Sequence, residues 1–111
     1  VDRAGLLPRD PALALRVAPN PMLNDVRLEL HLDRSSPAGA PTAVRVLVMD
    51  VAGRIVARLA DRSIDAGPHV VRWDGRRDSD GRAAPAGVYW LRVDAAGMAP
   101  RTARIVRLAG E

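Results

Sequence analysis

Cysteine and lysine are both absent from this chain of 111 residues. Without cysteine the chain has no disulfide, no thiolate nucleophile and no cysteine-based zinc or iron–sulfur site. Without lysine it has no Schiff-base chemistry and no lysine–asparagine isopeptide cross-link. All 17 positive side chains are therefore arginines. These absences exclude covalent stapling of the fold and several classes of enzyme.

Aromatic residues and long apolar runs are scarce as well. The aromatic side chains are Trp73, Tyr89 and Trp90. No stretch approaches the ~20 consecutive apolar residues that a membrane-spanning helix requires. We therefore expect no membrane insertion, and we expect a core built mainly from Val, Leu and Ile.

The formal net charge of +4 does not take the form of a basic tract. Arginine and aspartate are interspersed, and no basic run is longer than Arg76-Arg77. This pattern favours a solvated surface of mixed charge. Stacking on bases also requires several aromatic side chains among the arginines, and on the predicted outward faces only Trp90 is available. We expect no nucleic-acid partner.

What the chain does contain is a series of short alternating strands separated by turn residues. Pro8 and Pro11 interrupt any regular strand in residues 1–11, which predicts a linker or extended arm before one domain over residues 12–111. Seven strands are predicted in that domain, and no segment has the 3.6-residue period of a helix. The fold class is therefore all-β, an antiparallel β-sandwich of two sheets. The predicted strands are 12–17, 26–32, 44–49, 54–59, 69–74, 88–93 and 101–108.

The alternation assigns each strand an inward and an outward face. Trp73 is predicted to point inward, and so are Ile55, Ala57 and Leu59 of the fourth strand. The inward face of the last strand stays undetermined. Apolar residues with the opposite, outward parity are Leu47, Met49, Val51, Val56, Val70 and Trp90.

An exposed apolar patch usually marks a surface that binds a partner, and tryptophan is enriched at interface hot spots. We therefore predict a protein interface at Leu47, Met49 and Trp90, with scattered surface residues as the alternative.

The first strand suggests a second interface, because an extended segment can add to the open sheet edge of a neighbour. In that interpretation Leu13, Leu15 and Val17 fill pockets of the acceptor. The partner is then a protein, including copies of this chain joined through an edge strand or the N-terminal arm. In the alternative, this strand pairs within its own domain.

Asp74, Asp78 and Asp80 suggest a calcium loop. The spacing of an EF-hand fails, because Arg76 stands where the first ligand belongs and Gly87 where the bidentate glutamate belongs. Short acidic residues next to glycine more often cap turns through their side chains. We predict turn capping and no metal site.

A catalytic constellation is also not recognisable. Neither His31 nor His69 has a second metal ligand at a suitable spacing, and His69 is expected to be a hydrogen-bonded residue at a strand end. No nucleophile-elbow glycine pattern surrounds the serines. We predict no enzyme activity, no catalytic residues and no cofactor.

Five motifs follow one another between Val44 and Val93. They are Asp50-Val51-Ala52-Gly53-Arg54, Ala66-Gly67-Pro68-His69, Val71-Arg72-Trp73-Asp74-Gly75, Asp80-Gly81 and Pro85-Ala86-Gly87-Val88-Tyr89. Together they resemble the Ig-like domain of the flagellar hook-capping protein FlgD and related C-terminal domains of secreted bacterial proteins. Upstream, Ala18-Pro19-Asn20-Pro21 and the strand after it look like the opening of type IX secretion C-terminal domains.

This resemblance implies an Ig-like sandwich without catalytic activity that serves assembly, attachment or sorting outside the cytoplasm. Family members usually follow a long cargo protein or another domain, whereas here only a short arm precedes the sandwich. We therefore expect a building block of an extracellular or cell-surface structure. The alternative is a C-terminal sorting or attachment domain of a secreted protein.

Overall fold

Seven β-strands and no helix form the part of the chain described by the computed structural model, residues 13–33 and 41–108. The predicted all-β fold is confirmed. The predicted arm, residues 1–11, lies outside the described residues, as does most of the loop before the third strand. The strands are β1 (Leu13–Ala18), β2 (Val26–Leu32), β3 (Thr42–Met49), β4 (Ile55–Ile64), β5 (Gly67–Trp73), β6 (Gly87–Ala95) and β7 (Arg101–Arg107).

The strands form two antiparallel sheets. One sheet has three strands in the order β1-β2-β5, and the other has four in the order β4-β3-β6-β7. β1 pairs with β2 along its whole length, from Leu13 opposite Leu32 to Ala18 opposite Arg27. The first strand therefore pairs within its own domain. None of the described residues belongs to a helix that could cross a membrane.

The core lies between the two sheets, where alternate residues of each strand meet. Trp73 of β5 is 1% exposed, which confirms its predicted inward orientation. Its ring meets the ring of Tyr89 in β6 edge to face, with 5.3 Å between centroids. Burial raises the pKa of Tyr89, and its hydroxyl donates a hydrogen bond to the carbonyl of Pro85. The alternation of β2 buries Val26, Leu28, Leu30 and Leu32.

β4 departs from the predicted alternation. Two register shifts interrupt its pairing with β3. Each shift adds one residue to β4 that has no partner in β3. Beyond such a residue, the positions of β4 that point inward and outward are exchanged. Ile55 pairs opposite Met49 and is 44% exposed. Val56 packs against the core instead. The predicted inward Ile55 and outward Val56 are therefore wrong, because the bulges break the simple period of two.

The segment between β1 and β2 crosses to the other sheet and covers the free edge of β7. The side-chain amide of Asn20 donates to the carbonyl of Arg104 (2.7 Å) and accepts from the N–H of Val106 (3.0 Å). The N–H of Met22 donates to the carbonyl of Val106, and the N–H of Leu108 donates to the carbonyl of Met22, both at 2.8 Å. These bonds hold β1 and β7 on the same side of the sandwich.

Candidate protein interface

An apolar patch lies on the outer face of the four-stranded sheet. Side chains of paired residues point to the same face of a sheet. Met49 of β3 pairs with both Ile55 of β4 and Trp90 of β6. Leu47 and Val88 lie two residues from Met49 and Trp90, on the same face. We call these five residues the outer patch: Leu47, Met49, Ile55, Val88 and Trp90.

Members of the outer patch differ in exposure. Trp90 is 37% exposed and Ile55 44%, so these two side chains are the accessible part of the patch. Leu47 is 7% exposed and is its buried part. Met49 and Val88 are half-buried. The structure thus brings three of the predicted interface residues, Leu47, Met49 and Trp90, together on one surface.

Arginines surround the outer patch. Leu47 pairs with Arg58 on one side and Arg92 on the other, and Trp90 pairs with Arg104. Arg92 forms an ion pair with Asp94, with 3.1 Å between Nε and Oδ1. Within residues 13–33 and 41–108, no carboxylate lies at ion-pair distance from the guanidinium groups of Arg58 and Arg104. The rim is therefore predominantly positive.

A groove continues the outer patch towards one end of the sandwich. Its volume is about 470 Å³, and it lies between the β3–β4 hairpin and the loop that precedes β6. Ile55 and Val88 line the groove and also belong to the outer patch. Its other apolar lining residues are Val51, Ala52, Val56, Ala84, Pro85 and Ala86. The apolar surface is therefore partly flat and partly concave.

The hairpin on one side of the groove is held by Asp50. Gly53 has φ +85°, and its N–H donates to the carbonyl of Asp50 at 3.0 Å, which closes the predicted turn. The Asp50 carboxylate accepts from the N–H groups of Ala52 and Arg54, each at 2.9 Å, and from Nε of Arg54 at 3.0 Å. The hydrogen bond from the Arg54 N–H is the largest cause that lowers the pKa of Asp50. The hairpin wall is therefore well anchored.

The loop on the other side is anchored by Asp74, Asp78 and Asp80, the residues of the suggested calcium loop. Asp74 accepts from the N–H two residues further on (3.0 Å), and Asp78 from the N–H of Arg58 (2.7 Å). Asp80 accepts from the N–H of Arg82 (2.9 Å), the largest cause that lowers its pKa. Each carboxylate thus caps a backbone group. Among the described residues, no group of three or more His, Asp or Glu side chains is placed to hold a metal ion.

The other predicted interface residues, Leu13, Leu15 and Val17, lie on β1 at the edge of the three-stranded sheet. Leu13 is 2% exposed and belongs to the core of its own domain, while Leu15 and Val17 are half-buried at its margin. The carbonyl of Leu13 accepts a hydrogen bond from Arg101 of β7 (2.6 Å), so it points away from β2. Backbone groups two residues apart in a strand point the same way. Leu15 and Val17 therefore point their N–H and C=O groups away from β2, to the side of β1 where the described residues place no further strand.

Ile55 and Val88 are interface candidates that the sequence prediction missed. The alternation of β4 predicts an inward Ile55, because a bulge leaves no signal in that pattern. Val88 shares the outward parity of Trp90, and that parity was the signal available for it. Val51 and Val70 are exposed as predicted, at 75% and 57%, but Val70 lies on the outer face of the other sheet.

The family model of the FlgD Ig-like domain matches residues 25–98. All five motifs quoted above lie inside this range, so the resemblance they suggested is confirmed. No curated protein matches.

Solved structures of other proteins share the fold, and PorU and AlkC are two of them. Dimeric latent PorU from Porphyromonas gingivalis superimposes with a TM-score of 0.68 at 18% identity, over 95% of this chain and 10% of PorU. The alkylpurine DNA glycosylase AlkC from Pseudomonas fluorescens, bound to DNA with an abasic site analog, gives a TM-score of 0.56 at 22% identity, over 86% of this chain and 29% of AlkC. This chain therefore spans only a small part of each protein, and the likeness is one of fold.

Proposed function

The chain belongs to the FlgD Ig-like domain family, and from this premise we propose that it is a non-catalytic structural or assembly module that docks to other proteins. Its place of action is extracellular or at the cell surface, as a building block of a surface structure or filament. This follows from the family assignment together with the shape of the outer face. In this proposal the chain needs no cofactor, because its work is contact between surfaces.

The observation that carries the proposal is the outer patch. Its apolar residues come from three adjacent strands, and two of them, Ile55 and Trp90, are more than one-third exposed. Exposing such side chains costs free energy, at about 25 cal/mol per Å² of apolar surface in water. A contiguous surface of this kind is typical of a protein interface, and tryptophan is enriched among interface hot spots.

Contacts between copies of the chain are assigned to the edge of β1. Among the described residues, no strand pairs with β1 on the side that faces away from β2, and in this proposal an extended segment of a second copy pairs there with Leu15 and Val17. Leu13 contributes to such a contact only by completing the strand, because its side chain lies in its own core. The edge therefore serves self-assembly and the outer patch serves a different partner.

A sorting or attachment domain of a secreted protein is the second candidate. It is favoured by the recurrence of this fold as a small part of longer chains, a tenth of PorU and less than a third of AlkC. In this form the domain directs a protein attached to it, and the outer patch docks to the machinery that receives it.

The two forms are distinguished by two measurements. In the assembly form, the isolated chain sediments as an oligomer, and Leu15→Glu returns it to a monomer because the apolar side chain that would fill a pocket of the second copy is lost. In the sorting form, the chain is a monomer and carries a fused reporter to the surface of a host with type IX secretion. Trp90→Glu is expected to abolish surface retention.

Two control variants add the same negative charge at exposed positions, where we expect the fold to be unchanged. Ala14→Glu adds the same charge to β1, but on the exposed face away from the core, and should leave the oligomer intact. Val70→Glu replaces an exposed apolar residue on the opposite outer face and should leave reporter retention intact. A monomer that also fails to retain the reporter would contradict the proposed function.

A further inference from the structure

We propose that the outer patch and its groove bind an acidic protein segment that also carries apolar side chains. This inference rests on the proposed docking function and names the chemistry of the partner. It follows from the positive rim of the patch and from the distribution of charge inside the groove.

Charge complementarity is the first argument. Arg58, Arg92 and Arg104 lie beside the apolar centre, and of these only Arg92 forms an ion pair among the described residues, with Asp94. Within the described residues, Arg58 and Arg104 thus have no carboxylate at ion-pair distance, and in this proposal they bind carboxylates of a partner. Guanidinium is the cation best suited to carboxylates, because its planar donors bind both oxygens.

The groove provides the second argument. Its cations, Arg54 and Arg77, are already paired with Asp50 and Asp80, at 3.0 and 2.6 Å. The groove is therefore electrostatically satisfied and accepts apolar side chains. A concave site of about 470 Å³ fits side chains that project from a segment better than it fits a flat surface. Apolar groups in the groove and carboxylates on the rim together define the partner.

Two other occupants fit less well. Face-to-face pairing of two copies would bring the arginines of both rims together, and like charges across an interface oppose binding. Nucleic acid prefers a more polar surface with several stacking aromatics, whereas here Trp90 stands among aliphatic residues. Both occupants are outcomes of the test.

The test uses four labelled probes and the full chain: peptides that alternate Leu with Glu, Leu with Lys, and Ser with Glu, and a single-stranded oligothymidine. Binding is measured by fluorescence anisotropy at low and at raised salt. The Leu/Glu peptide should bind most tightly and should weaken as salt rises. Arg58→Glu combined with Arg104→Glu should weaken it about tenfold or more.

A matched double variant is Arg16→Glu with Arg27→Glu. It changes the net charge equally, on the exposed outer face of the three-stranded sheet, and should change affinity less than twofold. Equal weakening by this variant would mean a general charge effect and would overturn the inference.

The remaining outcomes separate the inference from the function it rests on. Equal binding of the Leu/Lys peptide, or no binding of the Leu/Glu peptide, overturns the acidic partner, while loss of reporter retention in Trp90→Glu would still support docking. If the Ser/Glu peptide or oligothymidine binds as tightly as the Leu/Glu peptide, the surface is a simple anion site, and the inference is overturned. Concentration-dependent dimerisation that Trp90→Glu abolishes identifies a second copy as the occupant and also overturns the inference.

Discussion

At the scale of single residues, Gly75 shows how a close approach dictates residue type. It has φ +81°, and a β-carbon there would lie 2.9 Å from both Nε of Arg107 and the carbonyl oxygen of Asn24. Arg107 is only 8% exposed and donates to the carbonyls of Gly75 and Leu108. The loop that forms one wall of the groove thus begins at a position where only glycine fits.

Replacing Gly75 with alanine should therefore destabilise the domain. The left-handed backbone costs a residue with a β-carbon about 1–2 kcal/mol, and the forced contact with Arg107 and Asn24 should add about 1–3 kcal/mol. Gly81→Ala is the control, since Gly81 has φ +72° but open space around it. Urea unfolding would measure both variants. Equal losses would show that the crowding at Gly75 has no energetic weight.

At the scale of elements, the edge strands of the two sheets differ in how their outer backbone groups are hydrogen-bonded. β4 contains two bulges. The N–H of Arg58 donates to the carboxylate of Asp78, and the N–H of Asp78 donates to the carbonyl of Val56. β7 is covered by the segment that contains Asn20 and Met22. Bulges and covering segments protect an edge from unwanted pairing. Within residues 13–33 and 41–108, no strand pairs with the outer side of β1, and the proposed self-assembly uses that side.

Asn20→Ala should open the edge of β7. Two side-chain hydrogen bonds are lost, at about 0.5–1.5 kcal/mol each, so we expect a loss of about 1–2 kcal/mol and faster hydrogen exchange at the N–H of Val106. NMR exchange rates would measure this. Asn24→Ala is the control, because Asn24 has no side-chain hydrogen bond within the described residues. Unchanged exchange at Val106 in Asn20→Ala would refute the covering role.

At the scale of the whole molecule, one core joins the two sheets, and Trp73 is its largest fully buried side chain. Trp73 belongs to the three-stranded sheet and Tyr89 to the four-stranded sheet. The centroids of their rings lie 5.3 Å apart. The indole N–H also donates to the carbonyl of Arg76 (3.0 Å). The same side chain therefore connects both sheets and the long loop.

Trp73→Ala should lower the free energy of unfolding by about 3–5 kcal/mol, because it leaves a large cavity between the sheets. Amide protection should fall in both sheets together. Trp90→Ala is the matched control on the outer face and should cost no more than about 1 kcal/mol. Calorimetry of the two variants would test this. Similar melting temperatures would contradict the roles assigned to the two tryptophans.

Regular elements of the fold were predictable and irregular ones were not. β2 follows its alternation without interruption, and the inward orientation of Trp73 was read from the same period of two. The orientation of Ile55 and Val56 was not readable, because a bulge depends on how β4 pairs with β3. In the candidate site, parity marked Leu47, Met49 and Trp90 as outward, but only strand order places them side by side.

The sequence by itself determined that seven strands alternate with turns, which family the chain belongs to, and that Gly53 closes the hairpin, because these depend on side-chain alternation and on the backbone freedom of single residues. Only the tertiary structure decided that β6 lies between β3 and β7, that Ile55 turns outward, and that Arg58 and Arg104 border Trp90. Pairing between distant strands is chosen by the closure of one shared core, and no local stretch of residues contains that information.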